Sequence, residues 1–142
     1  MDIFKSLQIS GSGMSAHRKW MDTIASNLAN ARATRTPEGG PYRRRDPVFL
    51  AEPADDPGDI TIGPSARTGV KVAAITVDTA PPNKVFEPGH PDADKDGNVA
   101  YPNVSVVEEM TNMITASRSY EANVQSFNAF KNMATRALDL FR

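Results

Sequence analysis

The sequence predicts a mainly α protein: long N- and C-terminal helices forming a coiled-coil pair, with a small β-strand and extended-loop insertion between them. Three observations predict it. All 11 prolines fall between Pro37 and Pro102, and residues 103–142 contain neither proline nor glycine. Apolar residues recur at seven-residue steps in both terminal segments, the spacing of a helical seam. Ser105-Val106-Val107-Glu108 has the form of a capping box, a helix-start signal. The chain thus divides into an N-terminal helix (1–33), a connecting region (34–103) and a long C-terminal helix (104–142).

In the first segment, Ile3, Leu7, Met14, His17, Met21, Ile24, Leu28 and Ala31 share one helical face. Leu7, Met14, Met21 and Leu28 keep a strict seven-residue spacing within it. Gly11 and Gly13 each cost about 1 kcal/mol against alanine in a helix, so they mark a bend or a close backbone approach. Asn27 and Asn30 stand where the pattern ends, and asparagine tolerates the left-handed conformation of a helix stop. Residues 41–50 predict an edge strand interrupted by Pro47. Residues 69–77 alternate, with a phase slip at Ala74-Ile75 that predicts a bulge. Residues 51–68 read as a loop, and 80–103 as an extended, wandering connection.

In the last segment, Val106, Met113, Tyr120, Phe127, Ala134 and Phe141 are spaced by sevens, and Met110, Val124 and Leu138 fall on the same face. A helix over 106–141 is about 54 Å long at 1.5 Å per residue. A globule of this chain length has a radius of gyration of only about 14–15 Å, so the helix should project and pair with the first one. Trp20, Ala25 and Ala29, with Val107, Ile114, Phe130 and Ala137, spill beyond one seam. A two-helix pair buries one face of each helix, so this surplus predicts helices supplied by other chains. The candidate assembly interface is therefore Leu7, Met14, Met21, Ile24 and Leu28, with Val106, Met110, Met113, Tyr120, Val124, Phe127 and Leu138.

Composition narrows the function. The 142 residues carry 16 Lys and Arg against 17 Asp and Glu, without the basic excess of a nucleic-acid binder. Tyr42-Arg43-Arg44-Arg45 reads instead as a solvated or partner-facing edge. There is no cysteine and there are two histidines, which removes thiolate chemistry and multi-histidine metal sites. No nucleophile, base and oxyanion donor assemble, so the reading is a non-enzyme without cofactor or metal. Glu108 and Glu109 are neighbours on a helix and point about 100° apart, so they do not form an acid pair. Asp92 to Val99 matches the first half of an EF-hand loop. Position twelve, however, is Asn103 where a bidentate glutamate is needed, and Pro88 and Pro91 oppose the entering helix. A calcium-regulated binding module using 92–103 is the alternative reading. The first residues carry an acid and no apolar stretch, unlike a Sec-type signal peptide, and no run approaches the roughly 20 residues of a membrane span.

Ile24-Ala25-Ser26-Asn27-Leu28-Ala29-Asn30-Ala31 resembles the N-terminal signature of the bacterial flagellar rod, hook and filament-junction proteins. Thr34 to Arg44 is similar to a stretch peculiar to the proximal rod. Tyr101-Pro102-Asn103-Val104, Glu108-Glu109-Met110 and Ser117-Arg118-Ser119-Tyr120-Glu121-Ala122-Asn123 resemble the family's C-terminal signature. Gly69-Val70-Lys71-Val72, His90 to Asp94 and Gly97-Asn98-Val99 occur in the order the family shows. The resemblance implies that Ser26, Asn27, Leu28, Asn30, Pro102, Asn103, Glu109, Met110, Arg118, Tyr120, Glu121 and Asn123 are family-motif residues. It also implies a structural subunit that polymerises with itself and other axial proteins into the periplasmic rod of the flagellar basal body. Such a subunit is exported through the flagellar type III apparatus, without a cleaved signal peptide. The terminal helices would then line the inner tube and the central region the outer layer.

Overall fold

The computed structural model describes residues 3–53 and 67–139. Six elements follow in order: α1 (Ile3–Ala29), β1 (Arg45–Pro53), β2 (Arg67–Val77), β3 (Asn83–Phe86), β4 (Asn98–Tyr101) and α2 (Val106–Asp139). Two long helices with antiparallel strands between them are thus present. Phe141 and residues 54–66, part of the predicted seam and loop, lie outside the described residues.

The helices pack antiparallel. Asn27 near the end of α1 meets Glu109 in the first turn of α2, and Gly13 meets Asn123 at the same spacing along each helix. The contact runs through small and polar side chains. Ser10, Ala16, Thr23, Ile24 and Asn27 are buried on α1, and Glu109 and Ala116 on α2. A Cβ on Gly13 would lie 2.9 Å from Asn123 Oδ1, so glycine permits this approach, whereas Gly11 faces open space. At 1.5 Å per residue α2 is about 51 Å long and α1 about 40 Å, so α2 outruns its partner. Leu138 is exposed on the overhanging end, and Met133 just before it.

β1 and β2 form one antiparallel ladder, with Arg45 opposite Val77 and Glu52 opposite Gly69. Pro47 takes its place in β1 opposite Ile75. The register shifts between Val48 and Phe49, whose partners are Ala74 and Val72, so the extra residue is Ala73 and not the predicted Ala74-Ile75 step. β1 starts at Arg45 rather than Pro41, because the chain first folds back through Thr36–Gly40 and Ala33–Tyr42 backbone bonds.

The expectation of a wandering connection over 80–103 is corrected. β3 and β4 pair there as a second hairpin, with Asn83 opposite Tyr101 and Phe86 opposite Asn98. Strands of four residues are too short for periodicity to reveal. The helix stop also differs from expectation: among the described residues none other than glycine has a positive φ. Asn30 closes the last turn with its side chain, Nδ2 donating to the Ser26 carbonyl at 2.8 Å. At the start of α2, Ser105 Oγ accepts from the Glu108 amide at 3.4 Å, while the Glu108 carboxylate faces Arg44 at 3.9 Å. The predicted capping box is made by half.

Candidate functional site

Where α1 ends, the connecting region begins β1 and α2 begins, three parts of the chain meet at one buried polar node. Asn27 is fully buried there and uses all four of its hydrogen-bonding positions. Its Nδ2 donates to the Arg45 carbonyl at 2.8 Å and to Glu109 Oε2 at 2.9 Å. Its Oδ1 accepts from the Tyr42 hydroxyl at 2.9 Å and from the Arg45 amide at 3.0 Å. The side-chain amide therefore pairs with the backbone of Arg45 as a neighbouring strand would, and β1 starts at that residue.

Glu109 is the node's buried charge, with no exposed surface. Besides Asn27, its Oε1 accepts from Arg44 Nε at 2.7 Å. Arg44 also pairs with Asp46 and stands 3.9 Å from Glu108. Burial alone pulls the Arg44 guanidinium down. The Glu109 hydrogen bond and the charges of Asp46, Glu109 and Glu108 outweigh burial and hold it above its ordinary value. Burial pushes the Asp46 carboxyl up; the Arg44 charge opposes that, while the charges of Glu109, Asp78 and Glu108 add to it. Tyr42 is buried too, its hydroxyl also 3.4 Å from Ser26 Oγ and its ring under Arg45 at 5.6 Å. Buried charge of this kind holds only with its partners in place, so the node sets one geometry between the helices and the insertion.

Two further ties fasten the insertion. Thr34 Oγ1 donates to Asp92 at 2.8 Å, joining the exit of α1 to the second hairpin. Farther along α1, Ser12 Oγ accepts from the Val70 amide at 3.1 Å, while His17 and Trp20 pack on Phe49 with ring centroids 6.0 and 5.9 Å apart. In the acidic turn Asp94 spends its side chain on the backbone. One Asp94 oxygen accepts from the Asp96 and Asn98 amides at 2.9 and 2.8 Å, and Gly97 closes the turn at φ 78°. Nothing in this arrangement supports the calcium-regulated reading.

The residues singled out in the sequence take distinct places. Asn27 and Glu109 meet in the node, with Ser26 and Asn30 beside it. Ile24 is buried, and Leu7, Met14, Met21, Leu28, Met113, Tyr120, Val124 and Phe127 are half-buried along the flanks of the helix contact. Val106, Met110 and Leu138 are exposed in the single chain. Pro102 is buried before α2, Asn103 is exposed, Asn123 faces Gly13, and Arg118 and Glu121 face solvent. Sequence reasoning missed Arg44 and Tyr42, which it took for a solvated edge. The available signal was the need of Glu109 for a cation once that glutamate is buried.

The two ends of the chain match known families. The model described as "Flagella basal body rod protein" matches residues 7–34, and that described as "Flagellar basal body rod FlgEFG protein C-terminal" matches 95–140. Asn27 lies in the first segment and Glu109 in the second, while Tyr42 and Arg44 lie in neither. The chain is 43% identical to the flagellar basal-body rod protein FlgC of Salmonella typhimurium, over 99% of its own length and 98% of that relative's. It is 40% identical to the FlgC proteins of Borreliella burgdorferi and Bacillus subtilis, over 99% or more of each chain. With identity of this level running the whole length, and a buried pair joining the two matched segments, the chain belongs to the FlgC family of flagellar basal-body rod proteins.

Proposed function

We propose that the chain is a structural subunit of the proximal rod of the bacterial flagellum, not an enzyme, and that it assembles with itself and other axial proteins. The full-length likeness to FlgC rod proteins carries this reading. The geometry agrees with it: directional bonds set the internal arrangement, and large apolar side chains on α2 are left without cover. In the assembly the seven-residue rows Leu7/Met14/Met21/Leu28 and Val106/Met113/Tyr120/Phe127 act as coiled-coil contacts between subunits. Segments 1–33 and 104–142 then build the inner tube, and 34–103 the outer layer. The subunit reaches the periplasm through the flagellar type III apparatus and binds no nucleic acid. Among the described residues no helix is long and apolar enough to cross a membrane.

The test is complementation of a strain that lacks its FlgC gene, followed by isolation of basal bodies. Restored swimming, with the chain present in the rod fraction, is the expected result. Export without incorporation overturns the reading.

A further inference from the structure

Between α1 and β2 the molecule carries an open groove of about 500 Å³. Val72, Ala74 and Ile75 of β2 give it an apolar side, Thr23 and Ser26 of α1 form its helical wall, and Lys19, Asp22 and Arg45 stand at the rim. On α2, Val107, Met110 and Ile114 form a row at three- and four-residue spacing and are 76%, 56% and 57% exposed. At 100° per residue this row points away from Glu109 and Ala116, the residues buried against α1. Groove and row therefore face different sides of the helix pair.

They also stand level. The antiparallel register fixed by Asn27–Glu109 and Gly13–Asn123 puts Met110 beside Ser26 in height and Ile114 beside Asp22. We infer that the Val107/Met110/Ile114 row of one subunit seats in the α1–β2 groove of a second copy of this chain, an inference that rests on the rod-subunit reading. A helix row of three apolar side chains is the occupant such a groove takes, read as anchors one turn apart. Charge agrees with a second copy: Arg118 follows the row one turn on and close to its face, and Asp22 stands at the groove rim with the opposite sign. Because the two surfaces differ, the contact does not close on itself as a two-fold dimer but repeats from copy to copy. Because they are level, each copy is added sideways with little axial step, which builds a ring or a shallow helix around an axis.

The chain has no cysteine, so engineered pairs report this contact without background. Full-length chain carrying both Ala74→Cys and Ile114→Cys is expressed in the complemented strain, basal bodies are isolated and mildly oxidised, and bands are separated without reductant. The double variant should give a ladder of multiples of the chain. Each single variant should stay monomeric, and the two single variants co-expressed should stop at dimers. Basal bodies that contain the double variant but show no ladder overturn the inference and leave the rod reading standing. A dimer from Ile114→Cys alone, or a cross-link to a protein of different mass, also overturns it. Absence of the unsubstituted chain from basal bodies overturns the rod reading itself.

Discussion

The node and the uncovered surface of α2 are built on opposite principles. At the end where α1 stops, Asn27 and Glu109 are wholly buried, and every polar atom of Asn27 meets a partner within 3.0 Å. Away from the node Gly13 and Asn123 touch closely, and α2 leaves Val107, Met110, Ile114, Met133 and Leu138 exposed along its length. Hydrogen bonds are directional and hydrophobic burial is not. The chain thus uses directional bonds where its own geometry must be unique. It leaves apolar surface where further chains must be recruited. The node is also the place where residues far apart in sequence meet, so closing it joins both termini and the insertion in one step.

The sharpest way to break this contrast is to remove the cation at the node. Arg44→Met leaves Glu109 buried without its partner, which should cost about 3–5 kcal/mol in a urea titration of the purified chain. Replacing Glu109 by leucine in the same background should recover a large part of that loss, since a buried ion pair exchanged for apolar groups is often close to neutral. A loss under about 1 kcal/mol for the single change would mean that water reaches the carboxylate and the node is not a lock.

A second test contrasts two glycines two residues apart in sequence and on nearly opposite sides of α1. Gly13→Ala drives a methyl group against the Asn123 amide, which can swing aside only by giving up its bond to the Ser119 carbonyl, a cost of about 1 kcal/mol. Gly11→Ala meets nothing within 4 Å and should stabilise the helix, by up to about 1 kcal/mol. Asn123→Ala combined with Gly13→Ala should remove most of the first penalty. Equal effects at the two glycines would show that the helices do not approach as described.

How far the sequence alone reaches follows from the same contrast. Both long helices were legible because their patterns extend over many turns, and the family signatures pointed to Asn27 and Glu109 as residues. Their meeting was not legible, because nothing local records that an asparagine and a glutamate 82 positions apart share a hydrogen bond. Arg44 was hidden for another reason. In the run Arg43-Arg44-Arg45 only the middle residue turns inward to the carboxylates, and that alternation needs the strand start to be known. The intramolecular seam itself runs through Ser10, Gly13, Ala16 and Ala116, small residues that a search for large apolar side chains passes over.

The open end offers a smaller effect on the isolated chain. Leu138→Gln, at a side chain 72% exposed, should change the urea midpoint by no more than about 0.5 kcal/mol equivalent. The same substitution should lower the amount of chain recovered in basal bodies, because the lost apolar surface is needed only in the assembly. A stability loss in the isolated chain comparable to that of Arg44→Met would erase the distinction between the node and the uncovered surface.

The least effect is expected midway, where His17 separates the node from the overhang. Burial lowers its pKa below the usual 6.5, and its Nδ1 is buried with no hydrogen-bond partner among the described residues. The ring lies 6.0 Å from both Trp20 and Phe49. A depressed folded-state pKa favours the neutral ring, so its contribution is complete above the unfolded value and is lost as the pH falls toward the folded one. Asp46, raised by burial above 3.8, acts in a lower window and with the opposite sign: protonation there favours the folded chain. Between about pH 7.5 and about pH 5.5, then, the histidine acts nearly alone. Lowering the pH across that interval should reduce the urea midpoint slightly and change the emission of Trp20, the one tryptophan in the sequence. His17→Phe keeps an aromatic ring against Phe49 and removes the proton, so the variant should be flat over the same interval. An unchanged pH slope in that variant would move the effect elsewhere and show that the α1–β1 contact is indifferent to the charge of His17.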